Sequence, residues 1–192
     1  MKSILISIKP KWCEKIAAEE KTIEVRKNAP KPPFKVYIYC TKEKKQDDII
    51  WAGAFGDRGK WNRHIIGEFI CDKVVRTCGW RLRGDTQQCA KRTVAEIELP
   101  KLACLSIDEI VDYAGSENRE VVGWHISDLK IYDRPRELSE FFKPCPTKEK
   151  GDCLSCDCLA DNDYGGVCTN NLTRPPQSYM FVEEIETSKE KQ

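Results

Sequence analysis

The chain has 192 residues and a mass of 22.1 kDa, enough for one domain of ordinary size or one domain with a small appendage. Its 40% hydrophobic and 33% charged residues exclude a disordered chain, and no apolar run approaches the ~18 residues of a membrane span. The net charge of +1 conceals a division. Residues 1–92 carry 21 Lys/Arg against 11 Asp/Glu, and residues 93–192 carry 11 against 20. A polyanion would be drawn to the first half, unless the two halves neutralise each other in the fold.

The first element is a strand, with Ile4, Ile6 and Ile8 alternating. Lys9 and Pro10 end this apolar stretch too early for a secretory signal, so cytoplasmic residence is expected. Pro10 opens a helix that places Trp12, Cys13, Ile16 and Ala17 on one face. From Lys21 the period returns to two, with Ile23 and Val25 facing one way and Thr22, Glu24 and Arg26 the other. Phe34 to Cys40 is apolar on both faces and is expected to be a central strand.

A long surface excursion is expected over residues 41–63, then a single strand from Ile65 to Val75 with Glu68 on the face of Ile66 and Ile70. Gly79 to Arg92 reads as a second loop. Val94 to Leu99 fits either a strand or a short helix. Ser106 and Glu109 form a capping box, with Leu105 and Ile110 as a hydrophobic staple, so a helix is predicted from about 107 to 114. Gly123 to Tyr132 gives further β structure around Trp124, Ile126, Leu129 and Ile131. Pro135 is expected to start a short helix burying Leu138, Phe141 and Phe142, and Tyr179 to Val182 forms a last strand. The mixture predicts an α+β domain built as a partly closed β-barrel with short flanking helices.

Eleven cysteines are present, and five of them, Cys145, Cys153, Cys156, Cys158 and Cys168, fall within one short stretch. An odd total in a reducing compartment argues against a disulfide framework. Cys153-x-x-Cys156 can give two thiolates to a tetrahedral zinc, with Cys168 and either Cys158 or Cys145 completing four ligands. Free or redox thiols are the competing reading. The stretch has too few large apolar residues to fold on core burial alone, which favours metal. The expected organisation is therefore a body of residues 1–143 and 175–186, a cysteine-rich zinc insertion at 144–174, and a charged tail at 187–192.

Lys21-Thr22-Ile23-Glu24-Val25-Arg26 resembles the Lys-x-x-Glu-x-Arg hallmark of the ASCH family, in the PUA-like superfamily. Ile66-Gly67-Glu68-Phe69, Gly123-Trp124-His125-Ile126, Leu129-Lys130-Ile131-Tyr132 and Pro175-Pro176-Gln177-Ser178-Tyr179 add to the resemblance in the right order. It implies a small PUA-like barrel with a cleft for RNA or a nucleotide-like ligand, lined by the hallmark residues. Some members of that family are enzymes, including an acetylcytidine amidohydrolase and a ribonuclease. Two departures are evident. Glu20 stands where the family usually has Gly, and Glu24 stands where the amidohydrolases need a hydroxyl nucleophile, so that chemistry is not expected here.

The candidate ligand-binding residues are Lys21, Thr22, Glu24, Arg26, Glu68, Trp124 and His125. An Arg fixed by a neighbouring carboxylate suits a phosphate or a base edge. Read by periodicity alone, the polar row of the hallmark strand is an ordinary solvent face. Trp51, Trp61 and Trp80 lie beside Arg58, Lys60, Arg63, Arg81 and Arg83, a pairing that suits single-stranded nucleic acid, unless these rings simply pack the loops down. An RNA- or nucleotide-binding module is expected. Two alternatives are a hydrolase of a modified nucleoside or of RNA using Lys21, Glu24 and Glu68, and a module whose zinc insertion binds a protein partner.

Overall fold

A computed structural model describes residues 1–42, 61–84, 92–144, 159–160, 167–168 and 170–184. In chain order the elements are β1 (Ser3–Ile8), α1 (Pro10–Ala17), β2 (Ile23–Arg26), β3 (Phe34–Cys40), β4 (Ile65–Cys71), β5 (Val74–Cys78) and α2 (Gly79–Arg83). There follow α3 (Val94–Leu102), α4 (Ile107–Ala114), β6 (Glu120–His125), β7 (Ser127–Arg136), β8 (Phe141–Phe142), β9 (Leu159–Ala160), β10 (Val167–Cys168), β11 (Tyr179–Phe181) and β12 (Glu183–Glu184).

Five strands form one sheet in the order β11-β1-β3-β4-β7, in which only β1 and β3 are parallel. A second, antiparallel sheet has the order β2-β6-β5. The mixed α+β class is as expected, but the described strands divide into separate sheets and do not hydrogen-bond into a partly closed barrel. The reason lies at two corners. The strand expected from Ile65 to Val75 breaks at Asp72 and Lys73, so that β4 stays in the first sheet and β5 joins the second. In the same way β6 passes through Ile126 into β7, where Asp128 has φ 48°. Strands that change sheet at such corners stack two layers face to face.

The space between the layers is the main core, where Ile4, Ile6, Val36 and Ile38 of the first sheet meet Val122 and Trp124 of the second, together with Cys13 and Ile16 of α1. A second cluster lies on the other face of the smaller sheet, where Ile23, Val25 and Val121 pack on Leu82, Leu99 and Ile110 from the helices. Leu5, Tyr37, Ile65 and Phe141 fill a third cluster, on the far face of the large sheet. The large sheet is thus apolar on both faces, which explains why Phe34 to Cys40 reads as a central strand.

Local signals account for the helices. Pro10 begins α1 directly after the extended Lys9. Helix α4 has the predicted capping box, with Ser106 Oγ accepting from the Glu109 amide at 3.1 Å and the Glu109 carboxylate accepting from the Ser106 amide at 2.8 Å. Gly115 ends it in the left-handed region, at φ 92°. Val94 to Leu99 proves helical because Thr93 and Glu96 form a second capping box. The expected loop after Gly79 begins instead with the short helix α2. The helix expected at Pro135 does not form. Strand β7 runs on to Arg136, a single 3₁₀ turn spans Leu138–Glu140, and Phe141 enters the third cluster from β8.

Phe141 and Lys143 are joined to residues 170–172, the Lys143 amide donating to the Asn170 carbonyl and the Leu172 amide to that of Phe141. Of the expected zinc ligands, Cys145, Cys153, Cys156 and Cys158 lie outside the described residues, and Cys168 is described only as backbone of β10, paired with β9. Among the described residues no group of His, Cys, Asp or Glu is arranged to hold a metal ion. No described helix is long and apolar enough to cross a membrane.

Candidate functional site

Strand β2 is buried along its whole length. Ile23 and Val25 face the helices, so the alternation turns Glu24 and Arg26 toward the end of β1 and the start of α1. The polar row that periodicity reads as a solvent face is therefore covered by another part of the protein. Lys21, Glu24 and Arg26 are only 2%, 8% and 7% exposed.

The three charges hold one another. Glu24 lies between two cations, its Oε2 at 3.4 Å from Lys21 Nζ and its Oε1 at 3.1 Å from Arg26 Nη2. Lys21 also donates to the Ala103 carbonyl at 2.7 Å, and Arg26 Nη2 donates to the Ser7 carbonyl at 2.8 Å. The Arg26 Nε–H is buried with no acceptor among the described residues. Burial lowers the Lys21 pKa, because an ammonium loses hydration there, and the Glu24 carboxylate only partly offsets this. Trp12 lies beside the group, with the Lys21 ammonium 5.3 Å and the Lys11 ammonium 4.3 Å from its ring centre.

These residues border a cavity of about 480 Å³, within the range of small-ligand sites. The buried Ile8 and Val25 and the half-buried Ser7 and Thr41 complete its inner part, and the exposed Gln177 also lines it. Its mouth is set by Lys9, Lys11 and Trp12 on one side and by Leu105, Glu109 and Tyr113 on the other. Glu109 and Tyr113 are four residues apart and share one side of α4, with Leu105 just before the helix, while Ile110 and Ala114 face the core. Lys9, Lys11, Lys21 and Arg26 outnumber the carboxylates Glu24 and Glu109, so the cavity favours an anionic ligand.

Of the seven expected binding residues, the cavity brings together Lys21, Glu24 and Arg26. Thr22 is half-buried at the entrance to β2, with its amide bonded to the Leu102 carbonyl and its carbonyl to the Ile126 amide, and it does not line the cavity. Glu68 lies opposite Tyr37, on the third-cluster face of the large sheet, where it pairs with Lys35 at 2.8 Å and accepts from Tyr132 at 2.5 Å. It does not share a face with Ile66, because the register slips between Ile65 and Gly67 and reverses the alternation. Trp124 is fully buried, edge-on to Phe34 and Tyr179, with its indole N–H on the Asn28 carbonyl at 3.2 Å. It is a core residue and cannot stack on a ligand. His125 is the more exposed of that pair, but it is bonded to Asp72 at 2.6 Å and lies away from the cavity.

The expected basic loops also differ. Arg81 makes a two-pronged contact with Glu96, and Arg83 pairs with Asp108 and Glu117, so both tie α2 to its neighbours. Trp61 packs against the main core. Trp51, Arg58 and Lys60 lie outside the described residues. Sequence reasoning missed Lys9, Lys11 and the side of α4 carrying Glu109 and Tyr113. The only available signal was that row at helical spacing, which has no marker joining it to β2.

The two stacked sheets have the fold of solved ASCH proteins. The ASCH protein from Zymomonas mobilis superposes with a TM-score of 0.52 at 18% identity, over 95% of this chain and 88% of that one. Its tyrosine-to-phenylalanine and serine-to-alanine variants give TM-scores of 0.51 and 0.53 at 16% and 18% identity, covering 91% and 89% of their chains. No protein-family model matches the sequence, and neither does any curated protein.

Proposed function

We propose that the protein is an RNA- or nucleotide-binding module whose ligand enters the cavity beside β2 and meets Lys21, Glu24 and Arg26. The observation that carries this reading is three buried, mutually paired charges on the border of a cavity with an excess of cations. Burying charge costs stability unless the group is paired, and such clusters concentrate at functional sites. The ASCH fold, the resemblance of residues 21–26 to the family hallmark and the basic first half of the chain support it, and a cytoplasmic location belongs to the same proposal.

The test is binding of short single-stranded RNAs and mononucleotides by fluorescence anisotropy and calorimetry, with Lys21→Met and Arg26→Ala compared against the parent protein. Binding should weaken in both variants and fall as salt rises. Absence of binding, or binding that neither salt nor these substitutions alter, would overturn the reading.

One observation favours a second reading. Burial leaves Lys21 easier to deprotonate than an ordinary lysine, and a carboxylate lies beside it, a pairing suited to acid–base work on an acylated nucleoside or on RNA. Turnover of such substrates that is abolished by Glu24→Gln would establish it. A zinc-bound insertion on Cys153, Cys156, Cys168 and Cys158 or Cys145, serving as a docking point for a protein partner, remains a separate proposal from sequence.

A further inference from the structure

The cavity has two electrostatically different ends. Its inner end is formed by Lys21, Glu24 and Arg26, all buried, and their charges are already in use. Glu24 is shared between the two cations, Lys21 is bonded to Ala103 and Arg26 to Ser7. A phosphate placed there would be stripped of water and brought against the Glu24 carboxylate. An uncharged heterocycle is better matched, because the trio offers N–H donors on either side of a carboxylate acceptor, and a base edge carries carbonyl and N–H groups in the complementary sense.

The mouth is the reverse. Lys9 and Lys11 are exposed, at the start of α1, whose first turn holds no acidic residue and no capping side chain. Its one carboxylate, Glu109, is committed to the Ser106 amide. Trp12, also at the mouth, is half-buried and carries the Lys11 ammonium near its ring. A phosphate at the mouth stays hydrated and meets cations without displacing an existing ion pair.

We infer that the cavity takes a nucleoside phosphate base-first, with the polar edge of the heterocycle at Lys21, Glu24 and Arg26 and the phosphate at the mouth on Lys9 and Lys11. This orientation rests on the nucleotide-binding reading and adds the phosphate subsite to it. The phosphate belongs either to a free mononucleotide or to a strand that inserts one base.

The experiment measures affinities of the full-length protein for the four ribonucleosides, their 5′-monophosphates and a single-stranded RNA oligonucleotide at low salt, in the parent, in Lys9→Ala/Lys11→Ala and in Lys21→Met. The monophosphate should bind roughly tenfold more tightly than its nucleoside in the parent, as expected for one or two charge-assisted contacts. That ratio should fall to about one in Lys9→Ala/Lys11→Ala and persist in Lys21→Met, where both affinities drop together. With that pattern, an oligonucleotide that binds more tightly than any monophosphate assigns the phosphate to a strand, and one that does not assigns it to the free nucleotide. A ratio that survives Lys9→Ala/Lys11→Ala, or collapses in Lys21→Met, would overturn the orientation while leaving the binding reading intact. No binding of any probe would overturn both.

Discussion

The Lys21 ammonium and the Glu24 carboxylate meet at 3.4 Å inside the protein, where neither is more than a tenth exposed. The contact is asymmetric. Lys21 has a second acceptor in the Ala103 carbonyl, and Glu24 has a second cation in Arg26. Removing Glu24 therefore does more damage than removing Lys21. Glu24→Gln leaves two buried cations without a counter-charge and should cost about 3–5 kcal/mol, whereas Lys21→Met leaves Glu24 paired with Arg26 and should cost about 1–3 kcal/mol. Denaturant unfolding of the two variants checks the order. Equal costs would mean that Arg26 does not hold Glu24 in solution.

A second prediction concerns acid. Glu96 is held at about 2 against an ordinary 4.5, chiefly by the Arg81 guanidinium, with the Thr93 amide and hydroxyl adding to it. Because its folded value is depressed, between pH 4.5 and about 2 the unfolded chain binds a proton that the folded one does not. The stabilisation is therefore complete above pH 4.5 and is lost as pH falls toward 2. A shift of this size is worth on the order of 3 kcal/mol. The difference in unfolding free energy between parent and Glu96→Gln should be largest at neutral pH and close as pH approaches 2. A difference independent of pH would contradict this account.

Arg83 gives a third. Its ion pairs with Asp108 and Glu117 are open to solvent and screened by it, so Arg83→Ala should leave the unfolding midpoint almost unchanged. It should leave RNA affinity within about twofold of the parent, because the residue lies outside the cavity. A large loss of RNA binding would restore the basic loops as a contact surface.

How much of this was legible in the chain can be followed through single residues. The β1 and β3 strands, the Pro10 start of α1 and the Ser106–Glu109 box are local signals, and each forms where expected. The hallmark at residues 21–26 located the charged trio, but its burial depends on β1 and α1 covering β2, a long-range fact that alternation cannot express. Glu68 was misplaced because the register slip near Gly67 is invisible to a period-two pattern. Lys130 O lies 2.4 Å from where a Gly67 side chain would begin, so this close backbone approach needs glycine. Tyr113 stayed hidden because helical spacing shows which residues share a side of α4 and says nothing of what that side meets.

That close approach is itself testable. Gly67→Ala puts a methyl group against backbone, which has little room to move, and should destabilise the protein by about 1–3 kcal/mol in thermal or denaturant unfolding. A neutral substitution would show that β4 and β7 do not approach so closely.

The cysteine-rich stretch yields a prediction from sequence alone. Metal analysis of the purified protein should find about one zinc per chain, lost in Cys153→Ser/Cys156→Ser. Metal-free wild-type protein prepared with zinc present would leave the thiols free and remove the proposed knuckle.

The binding cavity is tested most directly by following backbone amide and indole resonances of the isotope-labelled protein as a short single-stranded RNA or a mononucleotide is added. The largest shifts should gather at Ser7, Lys9, Lys11, Trp12, Lys21, Glu24, Arg26, Tyr113 and Gln177, with the Trp12 indole moving and the buried Trp124 indole still. Shifts centred on Trp80, Arg83 and the far face of the large sheet at Glu68, with the Trp12 and Arg26 signals unmoved at saturation, would contradict the assignment of this cavity as the site.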